Sequence, residues 1–97
     1  MEFLVEIQVS LPPELDPEIR DQLLTKERER GFELKDSGVM VRIWRIPGRI
    51  ANVGIWRTAD ATALHEAIAS LPLFPLIDAR VTPLALHHLE ADRREQK

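Results

Sequence analysis

One glutamate of this chain lies where a helix should meet the rest of the fold. Residues 18–37 contain no proline, and their apolar stripe, at spacings of three and four, runs through Leu23, Glu27 and Leu34. A carboxylate on that stripe is partly desolvated, which raises its pKa and makes Glu27 a candidate general base. The alternative is a purely structural ion pair, with Arg30 or with an arginine of a neighbouring strand.

Arginines surround a Pro-Gly turn in the segment IWRIPGRIAN, residues 43–52. Arg42 and Arg45 are three positions apart on a predicted strand, so they lie on opposite faces. Whichever face meets the helices, one guanidinium points into the layer where Glu27 also points. A planar guanidinium suits bidentate binding of a carboxylate, which predicts a small acidic ligand or, alternatively, a pair with Glu27. Arg49, directly after the turn, should face solvent, with at most a role at the rim.

Other polar residues give weaker signals. The Asn52 amide can both donate and accept hydrogen bonds, for a ligand or as a cap for the turn. His65 lies in a helical stripe, which favours packing over metal or acid–base work. His87 and His88 are neighbours in an extended segment, so they should diverge. The sequence has no HxH, HExxH, GxGxxG, Walker or GxSxG motif, so metal, nucleotide and serine-hydrolase chemistry have no motif support.

Composition restricts the class of protein. A chain of 97 residues, 44% hydrophobic and 30% charged, is typical of one globular domain. Its net charge of -3 argues against nucleic acid as the main partner, and the absence of cysteine excludes disulfides. The first ten residues carry Glu2 and Glu6 and do not resemble a signal peptide. No apolar run approaches the roughly 20 residues needed to span a bilayer, so a cytoplasmic protein is predicted.

The elements that must position these side chains follow the order βαββαβ. Residues 2–10 alternate, with Phe3, Val5, Ile7 and Val9 on one face, as in a half-buried strand. This order fits a ferredoxin-like α+β sandwich, with two helices on one face of an antiparallel sheet. The remaining predicted segments are strands 39–46, 51–56 and 76–86, helices 18–37 and 58–71, a loop at 72–75, one domain over 1–86 and a polar tail at 87–97.

Helix and strand ends follow from local signals. Asp16 is a candidate N-cap, Pro17 suits the first helical position, and Gly38 suits the residue after the helix. The full predicted stripe of the first helix comprises Ile19, Leu23, Glu27, Arg30 or Gly31, and Leu34.

The second strand is apolar on both faces, which has a consequence for assembly. Simple alternation places Val39, Val41 and Ile43 on one face and Met40, Trp44 and Ile46 on the other. Helices on one side of the sheet leave its other face open, and a large exposed apolar patch marks an association surface. A homo-oligomer, with the open face paired to a second subunit, is therefore predicted; a monomer in light scattering at micromolar concentration would contradict it.

Short segments over almost the whole chain resemble one known family. They comprise an opening strand with an LP…DP loop, an ExE in the first helix (Glu27 and Glu29), WRIxGxxAN at 44–52, ALHE in the second helix, LPLFP at 71–75 and VTPL at 81–84. WRIxGxxAN together with LPLFP at this separation is a specific pair. On these motifs the chain resembles the muconolactone Δ-isomerase family.

That resemblance implies a ferredoxin-like fold of the dimeric α+β barrel type and dimers that assemble into a decamer. It also implies catalysis without a metal or an organic cofactor, in the 3-oxoadipate (β-ketoadipate) pathway of aromatic degradation. The substrate partner would be a small acidic lactone, and the reaction would convert muconolactone to 3-oxoadipate enol-lactone. A proton leaves the ring carbon that bears the carboxymethyl arm, and one returns next to the lactone carbonyl.

Roles for individual residues follow from the same resemblance. Glu27 would be the base, Arg45 the main clamp for the substrate carboxylate, and Asn52 a donor to the oxyanion. Phe74, in the LPLFP loop, would belong to a pocket wall at a subunit boundary, although Leu73 and Phe74 can also simply close the edge of the core.

Three positions depart from the family pattern. Arg49 and Ile50 stand where many members have His and Tyr, and Arg42 stands where His is common. These changes predict a substituted or different lactone, with Arg42 and Arg49 near the substrate and Arg49 supplying extra charge.

Two other functions compete with the isomerase. One is a non-catalytic oligomeric protein that binds a small acidic ligand on the same fold, and it would hold Glu27 against Arg45. The other is a cofactorless oxygenase of electron-rich aromatics, which would not need an anion clamp. A Glu27 carboxylate that is free to reach a ligand would favour the isomerase.

Overall fold

The computed structural model describes residues 1–90, which form a four-stranded antiparallel sheet with two helices. The strand order β2-β3-β1-β4 is that of the ferredoxin-like fold, so the predicted βαββαβ sandwich is confirmed. The predicted tail, residues 87–97, lies mostly outside the described residues, and the domain boundary at residue 86 stays a prediction. The elements are β1 (Glu2–Val9), α1 (Pro17–Asp36), β2 (Met40–Arg45), β3 (Ala51–Arg57), α2 (Ala61–Ala69), a 3₁₀ turn (Phe74–Leu76) and β4 (Ile77–Leu84).

The core lies between one face of the sheet and both helices. The alternating residues of β1 are buried there as predicted, and Trp56 of β3 is fully buried beside them. Since α1 and α2 contribute to this same cluster, both helices cover one face of the sheet. The buried cluster comprises Phe3, Val5, Ile7, Leu34, Met40, Trp56, Leu64, Ile68 and Leu71.

Helix α1 packs on the sheet mainly through its second half. Asp16 occupies the N-cap position and Pro17 the first turn, although the Asp16 side chain makes no capping hydrogen bond. Leu34 is 2% exposed, whereas Ile19 is 49% exposed. The prediction that Ile19 faces the sheet is therefore wrong, because the first turn of α1 does not reach the core. Gly38 ends the helix with φ of 84°, in the left-handed region that favours glycine.

Strand β2 contains an irregularity that turns part of it over. Met40 pairs with Trp56 of β3, but Arg42 already pairs with Ile55, so two steps on β2 match one step on β3. Such a bulge moves the side chains that follow it to the opposite face. Met40 therefore shares the core face with Ile43 and Arg45, and its predicted placement beside Trp44 is wrong.

Gly54 accompanies this bulge on β3. It is buried opposite Ile43, and a Cβ atom added there would collide with the Arg42 carbonyl oxygen. Because glycine has no side chain, the backbone of the bulged segment of β2 can lie close to β3 at this position.

The open face of the sheet, away from the helices, carries Arg42 and Trp44, which settles the facing that the sequence left open. The Arg42 guanidinium lies over the Trp44 ring, 4.9 Å from its centroid, and Trp44 remains 46% exposed. Arg57 donates to Glu2 across β3 and β1 at 2.7 Å on the same face. This face thus combines apolar side chains with a charged edge. No helix in residues 1–90 is long and apolar enough to cross a membrane.

The loop that follows α2 is folded tightly. Leu71 and Leu73 are buried, as a loop closing the edge of the core requires. Phe74 N–H donates to the Leu71 carbonyl at 2.9 Å, and Leu76 N–H donates to the Leu73 carbonyl at 2.7 Å. His65 packs edge-on against Phe74, with ring centroids 6.0 Å apart. The sequence LPLFP therefore forms an ordered turn that leads directly into β4.

The two neighbouring histidines after β4 do not diverge. The rings of His87 and His88 lie with centroids 4.3 Å apart, so the prediction of divergence is wrong. The extended strand ends at Leu84, before this pair, and alternation of side chains no longer applies there. His87 Nδ1 accepts a hydrogen bond from the Leu89 N–H at 3.1 Å.

Candidate active site

A cavity of about 550 Å³ lies between α1 and the core face of the sheet. This volume is in the range of sites that hold small organic molecules. Apolar side chains of β1 and β2 form much of its wall, Asn52 of β3 adds an amide, and charged side chains come from α1 and β2. The lining residues are Ile7, Val9, Glu27, Arg28, Gly31, Phe32, Lys35, Met40, Ile43, Arg45, Asn52 and Leu71.

Among residues 1–90, Glu27 is the one carboxylate that lines this cavity, and it is half-buried. Its Oε1 atom accepts a hydrogen bond from the backbone N–H of Leu73 at 2.9 Å. Burial raises the pKa of the Glu27 carboxyl above the usual glutamate value, and the Leu73 N–H opposes that rise only in part. A carboxylate whose pKa is raised is a stronger base than an exposed glutamate, which suits a group that takes up a proton and returns it.

Glu27 takes part in none of the ion pairs among residues 1–90. Arg30, its predicted structural partner, instead donates to Glu33 at 3.1 Å and to the Ser70 hydroxyl at 2.9 Å. Arg45 forms no ion pair with Glu27 either. The structural ion pair considered from the sequence is therefore absent from the described part of the chain, and the carboxylate is open to a ligand.

Arg45 and Asn52 lie side by side on the cavity wall. They are directly paired across β2 and β3, which places their side chains on the same face of the sheet. The Asn52 Oδ1 atom is buried and has no hydrogen-bond partner in the described residues. This acceptor caps no N–H group of the turn within the described residues, and the Asn52 amide lines the cavity instead.

Two further cations line the cavity from the helix side and were not predicted. Arg28 and Lys35, both on α1, line the cavity together with Phe32, and the Arg28 guanidinium lies 5.6 Å from the Phe32 ring centroid. Positions 28, 32 and 35 follow the helical spacing of four and three, so the sequence already indicated that these three side chains share one face of α1. With Arg45, these residues set three cations against the single carboxylate of Glu27, and the cavity favours an anion.

The other residues predicted to bind substrate lie elsewhere in the single chain. Arg42 stacks on Trp44 on the open face. Arg49 donates to the Gln8 side chain, and Phe74 packs on His65. None of the three lines the cavity, so the structure brings together Glu27, Arg45 and Asn52 but not Arg42, Arg49 or Phe74.

Metal-ligating side chains are not clustered in the described region. Within residues 1–90, no three His, Asp or Glu side chains come together as a metal ion would require.

The fold and this cavity define a class of protein: a small ferredoxin-like domain whose cavity holds a half-buried carboxylate among several cations. The sequence profile of the muconolactone delta-isomerase family matches residues 1–90. The chain belongs to the muconolactone Δ-isomerase family.

Individual relatives agree with that assignment. The chain is 40% identical over 85 residues to muconolactone Delta-isomerase of Rhodococcus opacus, which covers 88% of this chain and 91% of that protein. It is 37% identical over 87 residues to muconolactone Delta-isomerase 2 of Acinetobacter lwoffii, with 90% and 91% covered. A crystal structure of muconolactone isomerase superimposes with a TM-score of 0.85 at 37% identity, over 90% of this chain and 91% of that one.

These comparisons confirm the resemblance predicted from the motifs and the prediction of an isomerase that shifts a double bond. They do not favour the alternative of a non-catalytic binding protein on the same fold.

Proposed function

We propose that this chain isomerises muconolactone, or a closely related carboxymethyl lactone, with Glu27 moving the proton. The observation that carries the proposal is the half-buried Glu27 carboxylate, which faces the cavity without an ion-pair partner in residues 1–90. A scaffold protein would have no reason to keep such a group unpaired, because burying an unpaired carboxylate costs stability.

The reaction balances with one residue as base and acid. Ionised Glu27 takes the proton from the ring carbon that bears the carboxymethyl arm, and the electron pair moves into the ring. The ring double bond shifts and negative charge develops on the lactone carbonyl oxygen, which gives a dienolate. Protonated Glu27 then returns the proton to the carbon next to the carbonyl, and the double bond ends one position further along the ring.

Arg45 and Asn52 supply the polar contacts that this reaction needs. The Arg45 guanidinium, which has no ion-pair partner in residues 1–90, would bind the substrate carboxylate in a bidentate manner. The NH₂ group of Asn52 would donate to the developing oxyanion, where a preorganised donor is worth the most. Arg28 and Lys35 add positive charge that favours entry of an anionic lactone.

Arg42, Arg49 and Phe74 remain predicted substrate-binding residues outside this cavity. Since they lie on other surfaces of the single chain, contact with substrate would require an assembly of subunits. We propose such a homo-oligomer, a dimer that builds a decamer, on the support of the exposed Trp44 and Leu4 on the open face. Light scattering at micromolar concentration tests it, and a cytoplasmic location stays a prediction.

The proposed activity is tested by an ultraviolet assay of the purified chain with muconolactone, run with and without EDTA. We expect turnover to the enol-lactone that the chelator does not change, because the proposed proton transfer uses protein groups alone. Loss of activity in EDTA would contradict the cofactor-independent reaction. Absence of turnover in both conditions would contradict muconolactone as the substrate.

The raised pKa of Glu27 predicts the shape of the pH profile. Below that pKa the carboxyl is protonated and cannot accept the substrate proton; above it the carboxylate is ionised and active. We therefore expect kcat/KM to fall toward acid pH, with a midpoint above the usual range for glutamate. The lactone's own carboxyl titrates in the usual range, so the two groups are distinguishable. A midpoint at the usual glutamate value would contradict a raised pKa for the base.

A further inference from the structure

A glycine occupies the middle of α1 at a position that faces the cavity. Gly31 is the only glycine in the helix, which runs from Pro17 to Asp36. After proline, glycine is the least favourable residue in a helix interior. No turn or positive φ requires glycine here, since the positive-φ glycines of the described residues are Gly38 and Gly48.

Gly31 lies one helical turn after Glu27. Residues four apart share a face of a helix, and both residues line the cavity. A Cβ atom built at position 31 would meet no heavy atom within 4 Å, apart from its chain neighbours and the nearby helix backbone. Packing therefore does not require glycine at position 31 either. Because glycine has no side chain, open space remains there, beside Glu27.

The position of that space relative to the substrate follows from the proposed function. Glu27 must approach the ring carbon that loses its proton, and Arg45, on the opposite wall, would hold the carboxymethyl arm. The space at Gly31 therefore adjoins the lactone ring rather than the arm. Phe32 and Lys35 lie further along α1 on the same wall, so the space widens the ring-binding part of the cavity.

We propose that Gly31 is a specificity-determining residue that makes room for a methyl-sized substituent on the lactone ring beside Glu27. The inference rests on the proposed function for the identity of the ligand. An unsubstituted ring leaves the space unfilled, whereas a ring substituted next to the arm-bearing carbon fills it with apolar contact.

Two saturated lactones test whether the cavity has space for a methyl group at Gly31. Because they have no ring double bond, the protein cannot isomerise them during the measurement. The first is carboxymethyl-γ-butyrolactone. The second is its derivative with a methyl group on the ring carbon next to the arm-bearing carbon. Calorimetry measures the Kd of each ligand. We expect Gly31→Ala to weaken binding of the methylated ligand about 10- to 200-fold, the range for one methyl-sized group in an apolar pocket. Binding of the unsubstituted ligand should not change.

Thr25→Ala is the matched control, because it also improves helix propensity but lies on an exposed part of α1 outside this cavity. It should leave the ratio of the two Kd values at its original level. Both substitutions should raise Tm slightly, which shows that the helix is intact in each variant.

A Gly31→Ala variant with an unchanged Kd ratio would overturn the role of Gly31. If Gly31→Ala and the original protein both still turn over muconolactone, the proposed function stands and only the specificity role of Gly31 fails. If the original protein neither turns over muconolactone nor binds either saturated lactone, both proposals fail together.

Discussion

Glu27→Gln should lower kcat for the lactone isomerisation by two orders of magnitude or more. Glutamine has nearly the same shape, and its side-chain oxygen can still accept the Leu73 N–H bond that Glu27 accepts at 2.9 Å. It cannot take up or release the substrate proton, and a positioned general base contributes about 10²- to 10⁴-fold. Steady-state kinetics on the purified variant measures this loss.

The stability of the same variant separates a chemical effect from a folding effect. Because burial raises the pKa of Glu27, the folded chain holds this proton more tightly than the unfolded chain does. That contribution to stability is present below the ordinary glutamate pKa and is lost as pH rises through the raised value. At neutral pH Glu27→Gln should therefore be at least as resistant to urea as the original chain.

Glu29→Gln is the matched control for the base. Glu29 lies on the same helix, is exposed and does not line the cavity, so its kcat should stay within the range of the original chain. Full turnover by Glu27→Gln, or an equal loss in both variants, would remove Glu27 from the proposed mechanism.

Arg45→Gln should reduce kcat/KM about 10- to 100-fold, mainly through a higher KM. A hydrogen bond to a charged group is worth about 1.5–3 kcal/mol, and the substrate carboxylate is present in the ground state and the transition state alike. Removal of an interaction that both states share raises KM more than it lowers kcat. Kinetics over a range of lactone concentrations separates the two constants.

Arg42→Gln provides a control on the same strand. Arg42 lies on the opposite face, over Trp44, so Arg42→Gln should raise KM less than the loss of Arg45, which lines the cavity of its own chain. Equal effects of the two substitutions would show that the face assignment of β2 does not decide substrate binding. A larger effect at Arg42 would place the substrate carboxylate on the open face.

Much of the fold could be predicted because local signals agree with one another. The alternation of Phe3, Val5 and Ile7 specifies a strand with one buried face, and these three side chains are 4% exposed or less. Pro17 and Gly38 fix the ends of α1 through backbone chemistry that any sequence displays. The position of Glu27 on the helix stripe was likewise visible, because its spacing from Leu34 follows the helical period.

The facing of β2 could not be predicted from its sequence. Residues 39–46 are apolar on both faces. In such a strand a shift of one residue still buries apolar side chains, so the sequence pattern does not show which face meets the core. The partner of Glu27 was hidden for a different reason: it is the backbone N–H of Leu73, 46 positions away, and every residue other than proline has such a group. In the sequence, Arg28 and Lys35 are typical of solvated charges on a helix surface. Only the packing of α1 on the sheet shows that they line the cavity.

The bulge in β2 also decides which arginine of this chain faces the cavity. If Val41 paired in the regular way, with Met40 still opposite Trp56, the strand would alternate throughout and Met40 and Arg42 would share the core face. Such a change of register by one residue would turn Arg42 inward and Arg45 outward. Deletion of Val41, in contrast, would remove the bulge and leave both arginines facing as they do now. The chain therefore carries two arginines for one inward position, and the register of β2, rather than any point substitution, selects which of them lines the cavity.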